Sequence, residues 1–378
     1  MRYAGLDDLN RTVQTARDPL QSHLSVSVIV PMRDEAAHIL ECLHSLLHQT
    51  LARGTYEVIV VDGQSEDASA DLVRNLQTDA ANIVLLQNPS RTMPAGMNMG
   101  LRHARGDVII VAGAHTVYPA EYIEKSLYFL AKTGAQVVGG PLITVSSRDT
   151  FAGRMIATLL SCRFGVGDSA FRTRLKDGFV DTVPFGAYRR EVFEQVGGYN
   201  ERLVRIQDHE LHSRIRQNGG RIYITPELTT QYRTVPSYRL LCKKGFSTGL
   251  WQFYTLSQNS SSFALRHFVP LCFVLWLATV SVLTTFWPGM TALLVVTLAL
   301  YVLSGFRFGA TEIQRNSSVT RMLIPIYAFP FHFSYGVGTI AGLWYLVFNP
   351  TGASSKVAKD KRDLVVNQPS PPSQNSAV

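Results

Sequence analysis

Two long stretches of this 378-residue chain carry no charge. Neither the run from Phe268 to Phe306 nor the run from Met322 to Asn349 contains Asp, Glu, Lys or Arg. Charged residues make up 17% of the chain, below the ~25% of an average soluble domain. The shortfall is confined to those stretches, which argues against a uniformly soluble protein. Cysteine is also scarce. Cys42, Cys162, Cys242 and Cys272 lie far apart and match no metal-ligand spacing. Reduced thiols in a cytosolic compartment are the expectation. No apolar run precedes Ser25, so no signal-peptide core is legible and the soluble part is expected to stay in the cytoplasm. No arginine-rich run or RNA-binding signature accompanies the net charge of +8, which leaves nucleic acid without support as a partner. The basic residues instead flank the uncharged stretches. Arg239, Lys243, Lys244 and Arg266 come before them, and Lys356, Lys359, Lys361 and Arg362 after. That placement favours an anionic membrane surface.

The charged part has a regular pattern. Val26 to Pro31 is a short β-branched run, as expected of a buried parallel strand. Asp34 to His48 has apolar residues at helical spacing. Tyr56 to Val61, Ile83 to Leu86 and Val108 to Ala112 read as further strands, with helices through Leu76 and from Met97 to Ala104 between them. Strand and helix alternating at this spacing predict an α/β fold with a parallel sheet. Ligands of such sheets sit at the carboxyl ends of the strands. Those ends carry Arg33-Asp34-Glu35, Asp62-Gly63-Gln64-Ser65 and Gly113-Ala114-His115. Residues 137–235 are less regular, with a helix expected from Asp208 to Gln217.

The uncharged run from Phe268 to Phe306 is long enough for two spanning helices of about 18–20 residues, turning at Trp287-Pro288-Gly289. In the run from Met322 to Asn349, Pro325, Pro330 and His332 interrupt the first half. A bent interfacial or re-entrant segment there keeps the flanking basic loops on one side. The expected organisation is a polar arm over 1–24, an α/β domain over 25–235, interfacial helices over 236–267, a membrane region over 268–350, and a basic then disordered tail over 351–378. A plain domain-packing helix is the alternative for 236–267.

Three motifs then occur in order. They are Val28-Ile-Val-Pro31 followed by Glu35, Val60-Val-Asp62-Gly63-Gln64-Ser65-Glu66-Asp67, and Gly197-Gly-Tyr-Asn-Glu201 leading to Gln207-Asp208-His209-Glu210-Leu211 and Arg214. Each alone is weak. Together they resemble the family 2 glycosyltransferases, and the C-terminal part resembles membrane-anchored members that build bacterial exopolysaccharide, of the succinoglycan type. The resemblance implies a GT-A fold, a nucleotide-diphosphate sugar as donor and transfer with inversion. It implies Asp62 as the acceptor of the uracil imide hydrogen, Pro31 and Glu35 against the nucleoside, and Arg91 and Asn98 beside the donor. It implies Asp208 as the base that takes the proton of the attacking hydroxyl. Gln207, Glu210 and Arg214 share that helix. The i,i+4 spacing of Glu210 and Arg214 suits a structural ion pair, and a helix cap is the plain alternative for Asp208.

One motif departs. The family has Asp-x-Asp after the fourth strand, for ribose and a divalent metal, Mn2+ or Mg2+. This chain has Gly113-Ala114-His115. His115 is then the expected metal ligand and Gly113 the donor-side position, and cationic side chains are the alternative support for the diphosphate. No Gln-x-x-Arg-Trp motif of processive synthases follows. The expected reaction is addition of one sugar, from a UDP-hexose, to a lipid-linked saccharide at the cytoplasmic face of the inner membrane. A polyprenyl-phosphate sugar synthase and an inactive polysaccharide-assembly subunit stay open as alternatives.

Overall fold

The computed structural model describes residues 26–348 apart from 79, 81, 174–175, 204, 259–264 and 312–321. The expected polar arm over 1–24 and tail over 351–378 lie outside the described residues. Four strands run where the β-branched runs predict them: β1 (Val26–Met32), β2 (Tyr56–Asp62), β3 (Ile83–Gln87) and β4 (Val108–Val111). They lie side by side in the order β3-β2-β1-β4, all parallel. Every residue of β1 and β2 is buried, as befits strands covered on both faces. Pro31 is accommodated because the pairing with β4 ends at Ile29, two residues earlier. Helices α1 (Ile39–Leu47), α2 (Ser69–Gln77) and α3 (Met93–His103) connect these strands.

The less regular region completes the sheet. Strand β5 (Thr116–Val117), helix α4 (Tyr122–Thr133), β6 (Val137–Gly139) and β7 (Leu142–Val145) follow β4. Helices α5 (Phe151–Ser161), α6 (Arg163–Val166) and α7 (Ala170–Thr173) lead to β8 (Gly178–Val180) and β9 (Ala187–Arg189). Then come α8 (Arg190–Val196), α9 (Gln207–Gln217), β10 (Ile222–Ile224) and β11 (Thr230–Arg233). Strand β9 inserts antiparallel between β4 and β6, and β8 closes the far edge antiparallel to β10. The sheet is therefore mixed rather than wholly parallel. A second sheet, β5-β11-β7, stands beside it. The two together bring the ends of β1, β2 and β4 to face β11 and the start of α9.

The C-terminal part has four helices: α10 (Tyr238–Gln258), α11 (Val269–Leu283), α12 (Met290–Thr311) and α13 (Ile324–Phe348). Among the described residues one helix is long and apolar enough to cross a membrane, over Met290–Phe308. Its apolar side chains are open, with Val295 and Leu303 each 60% exposed. Helix α11 is apolar but has 15 residues, about 22 Å at 1.5 Å per residue, short of the ~30 Å of a bilayer core. Thus one of the two expected spans has the required length, and Trp287-Pro288-Gly289 does separate the two helices. The expected break in the first half of the last run is corrected: α13 is one helix of 25 residues with Pro330 inside it. Packing explains its persistence. Helices α10 and α13 approach through glycines on both. A Cβ on Gly249 would stand 2.2 Å from the carbonyl oxygen of Tyr335, and one on Gly338 2.1 Å from that of Phe246. Leu241 and Trp251 on α10 are buried.

Candidate active site

The loops after β1, β2 and β3 are stitched to one another by polar side chains. Asp34, Gln64 and Arg91 all adopt left-handed backbone, at φ 56°, 57° and 58°. Non-glycine residues there carry strain of order 1–3 kcal/mol, which a structure retains chiefly at functional sites. The Asp34 amide donates to Ser65 Oγ at 2.9 Å, and the Glu66 amide donates to Asp34 Oδ1 at 2.8 Å. The Asp67 carboxylate accepts from the Ser69 amide at 2.9 Å and from the Ala36 amide at 3.0 Å, so it holds the start of α2 against the first loop. Asp62 is buried at the end of β2 and accepts the Ser65 hydroxyl at 2.6 Å. It also accepts the Ser65 amide, at 3.1 Å to Oδ1 and 3.3 Å to Oδ2, and of about four acceptor positions this leaves it capacity for a base edge. Arg91 is bound to Gln64 and lies 3.8 Å from Glu66, at the mouth of the same edge.

Asn98 lies on α3. Its amide donates to the Tyr199 carbonyl and to Glu201 Oε1, both at 2.8 Å, and accepts from the Tyr199 amide at 2.8 Å. Asn98 thus staples α3 to the Gly197–Glu201 loop. Arg214 clamps the same loop from α9. It pairs with Glu210 through two bonds of 2.8 Å and donates to the Gly198 carbonyl at 2.8 Å. Glu210 and Arg214 thus form the i,i+4 pair their spacing suits, and Gln207 is buried against the Met93 sulfur.

This clamping positions Asp208. Ile206, with φ 64°, caps the helix, and its side chain makes no capping bond. A β-branched residue in that conformation is a true outlier. It turns the chain sharply, so Asp208 falls in the first turn with its carboxylate free of hydrogen bonds and ion pairs among the described residues. Burial raises its pKa from 3.8 to about 6. Behind it, buried His212 is held by Thr182 at 2.8 Å and by Tyr188 at 2.9 Å, and burial lowers it to about 3, so the ring is neutral. An unpartnered carboxylate poised near neutrality at a strand-end cleft is fit to accept a proton.

The position of the departed motif is occupied. A Cβ on Gly113 would stand 2.5 Å from Phe185 Cζ and 2.6 Å from its Cε1. Phe185 is itself in left-handed backbone, at φ 48°, and its carbonyl accepts the Tyr122 hydroxyl at 2.7 Å. A carboxylate at 113 would need that ring to shift. His115 Nδ1 is taken by Glu35 Oε1 at 2.8 Å. Burial opposes charge on His115, yet Tyr232 and Glu35 outweigh it and raise the imidazole above its ordinary value. The carboxylate on Nδ1 leaves Nε2 as the ring nitrogen that an ion could take. Among the described residues no group of three His, Cys, Asp or Glu is placed to hold an ion. Gly113 therefore brings no carboxylate to the metal site that the resemblance implies, and His115 is the residue of that motif that could reach an ion.

Beyond the motifs stands a ring of residues around Tyr232 of β11. Its ring is edge-on to His115 at 4.9 Å and stacked on Phe185 at 6.2 Å. Lys244 of α10 donates to its hydroxyl at 2.9 Å, and the Arg172 guanidinium lies 5.6 Å from the ring centroid. Burial raises the Tyr232 hydroxyl, but Lys244, His115 and Arg172 overcome it and bring the pKa well down. Lys244 reads from the sequence as a membrane-facing cation; it turns into the domain instead.

Residues 27–197 match the family described as Glycosyl transferase family 2. The chain carries a family 2 glycosyltransferase domain. The match holds every strand-end residue above, while Asp208 and Tyr232 lie beyond it. Over 66% of its length this chain is 28% identical to the succinoglycan biosynthesis protein ExoA of Rhizobium meliloti, covering 73% of that protein. It is 25% identical over 59% of its length to a dolichyl N-acetyl-alpha-D-glucosaminyl phosphate 3-beta-D-2,3-diacetamido-2,3-dideoxy-beta-D-glucuronosyltransferase of Methanococcus voltae, covering 71% of it. Among solved structures it resembles the mannosyltransferase PcManGT from Pyrobaculum calidifontis, in complex with GDP-Man and Mn2+, with a TM-score of 0.56, 18% identity, and coverage of 90% of this chain and 94% of that one. That likeness carries the fold, the GT-A type of α/β domain.

Proposed function

We propose that this glycosyltransferase moves a hexose from a UDP-sugar to a lipid-linked saccharide, inverting the anomeric centre, with Asp208 as the base. The unpartnered Asp208 carboxylate, with its pKa near 6, carries the reading. The acceptor hydroxyl attacks the anomeric carbon and gives its proton to Asp208. The bond from that carbon to the diphosphate breaks, and its electron pair leaves on the diphosphate oxygen. Asp62 supports uridine recognition, since a buried acceptor at a strand end matches an imide N–H. The relative from Methanococcus voltae is named for transfer to a dolichyl phosphate-linked sugar, which supports a lipid-linked acceptor. The exposed apolar face of Met290–Phe308 supports anchorage in the inner membrane with the domain cytoplasmic. The test is transfer by membranes bearing the wild type or Asp208→Asn, offered UDP-glucose and other sugar nucleotides. Transfer by the wild type that collapses in the variant, with donor binding kept, is expected. Equal transfer by both would remove Asp208 from the role.

A further inference from the structure

We propose that Arg172, Arg205 and Lys244 hold the donor diphosphate and the departing nucleoside diphosphate, in the place where relatives of this fold hold a divalent ion. The proposal rests on the nucleotide-sugar reading above.

Geometry carries it. The position for a metal-binding carboxylate is closed by the Phe185 ring against Gly113. That ring stacks on Tyr232, and Tyr232 is where the cations gather. Lys244 binds its hydroxyl at 2.9 Å. Arg172 sits over its face and otherwise donates to Thr144 Oγ1 at 2.9 Å. Arg205 donates from Nε to Ser247 Oγ at 3.0 Å. Ser247 follows Lys244 by three residues on α10, so the two cations stand one turn apart on one face. Arg205 also precedes Asp208 by three residues, which places the group beside the base.

None of the three meets a carboxylate among the described residues. Burial pushes the pKa of both arginines down. Each remains cationic, because an arginine does not deprotonate in a protein. Even with the Tyr232 hydroxyl drawn toward its anion, three half-buried cations leave positive charge in excess, which is costly unless a further anion joins them. A diphosphate supplies that charge, and planar guanidinium groups match its oxygens in pairs. The negative charge that builds on the leaving group as the sugar departs then meets fixed cations, which is the service a metal would otherwise supply.

The experiment is calorimetric titration of the detergent-solubilised full chain with UDP and with uridine, in EDTA and in Mn2+. We expect UDP to bind in EDTA, more tightly than uridine, with Mn2+ changing its Kd less than threefold. Arg172→Met and Lys244→Met should each weaken UDP at least tenfold and leave uridine unchanged. Retained uridine binding also shows that the variants fold. A threefold or larger tightening by Mn2+ in the wild type, or variants that keep the wild-type ratio of UDP to uridine affinity, would overturn the cluster while leaving the donor reading intact. If neither UDP nor uridine binds the wild type, both readings fall together.

Discussion

Replacing Asp208 by Asn separates a catalytic base from a helix cap by its paired effects on stability and rate. The carboxyl has a pKa of about 6 in the folded protein against 3.8 ordinarily, with burial as the cause. The folded state therefore holds the proton more tightly than the unfolded chain does. Stability from this group is fully present below about pH 4 and is lost as pH rises through 6, where the buried carboxylate ionises. Two units correspond to about 3 kcal/mol at ~1.4 kcal/mol per unit, and partial exposure of the side chain reduces this to about 1–2 kcal/mol. Asparagine keeps the shape and removes the charge. At pH 7.5 the variant should resist denaturant more than the wild type by about that amount, while its kcat/KM falls about 100- to 10,000-fold. A cap would show neither effect, since asparagine caps a helix about as well as aspartate. The wild-type kcat/KM should rise with pH, reach half its plateau near pH 6, and stand near one-tenth of it at pH 5. The paired assays are initial transfer rates from pH 5 to 8 and urea unfolding at pH 7.5. A variant that loses stability together with activity, or keeps a tenth of the wild-type rate, would refute the assignment.

Three further outcomes follow from packing and pairing. Gly113→Asp, which restores the usual motif residue, should cost about 1–3 kcal/mol by overpacking against Phe185 and should confer no Mn2+ stimulation; denaturation and a metal titration of the rate check both. Asn98→Ala should lower stability by about 1–3 kcal/mol, because it frees the buried partners in the Gly197–Glu201 loop, yet change the donor Kd less than twofold; tenfold weaker binding would return Asn98 to the donor site. Arg105→Ala removes the guanidinium that meets Glu57 Oε2 at 2.8 Å, and Glu57 is a buried residue of β2. It should cost about 1–3 kcal/mol at pH 7. Burial resists charge on Glu57, but Arg105 and Ser27 hold its pKa below the ordinary value, so the ion pair stabilises at neutral pH and fades as pH falls through the carboxylate range. The wild-type and variant unfolding curves should therefore converge in acid.

The parallel half of the sheet is legible because strands β1 to β4 are continuous apolar runs, and burial on both faces permits little else. The antiparallel insertion of β9 is not. Ala187–Arg189 and Val137–Gly139 are three-residue strands whose pairing spans about fifty residues, and three residues carry no period. The last helix misled for a different reason. Proline predicts a break through its own lost hydrogen bond, whereas Pro330 sits in a helix held along its length by glycine contacts with α10. Those contacts belong to the partner helix and leave no local trace in the run itself.

The site divides along the same line. Asp62, Glu35 and Asp208 lie in compact motifs where a few neighbouring residues fix the chemistry. Phe185, Arg205 and Tyr232 lie in no such motif, and they matter only through each other. Gly113 was the one visible trace, because a missing carboxylate is local while the ring that replaces it is 72 positions away. Lys244 shows why such residues escape: a cation beside an apolar run serves a lipid headgroup and an internal anion equally well, and the sequence pattern is the same for both. What separates them is the direction of one side chain, 2.9 Å from the Tyr232 hydroxyl. Gly113 and Lys244 then describe one exchange. Where the carboxylate is lost, a ring closes its place, and the charge that a metal would supply comes from cations on α7, α10 and the segment before α9.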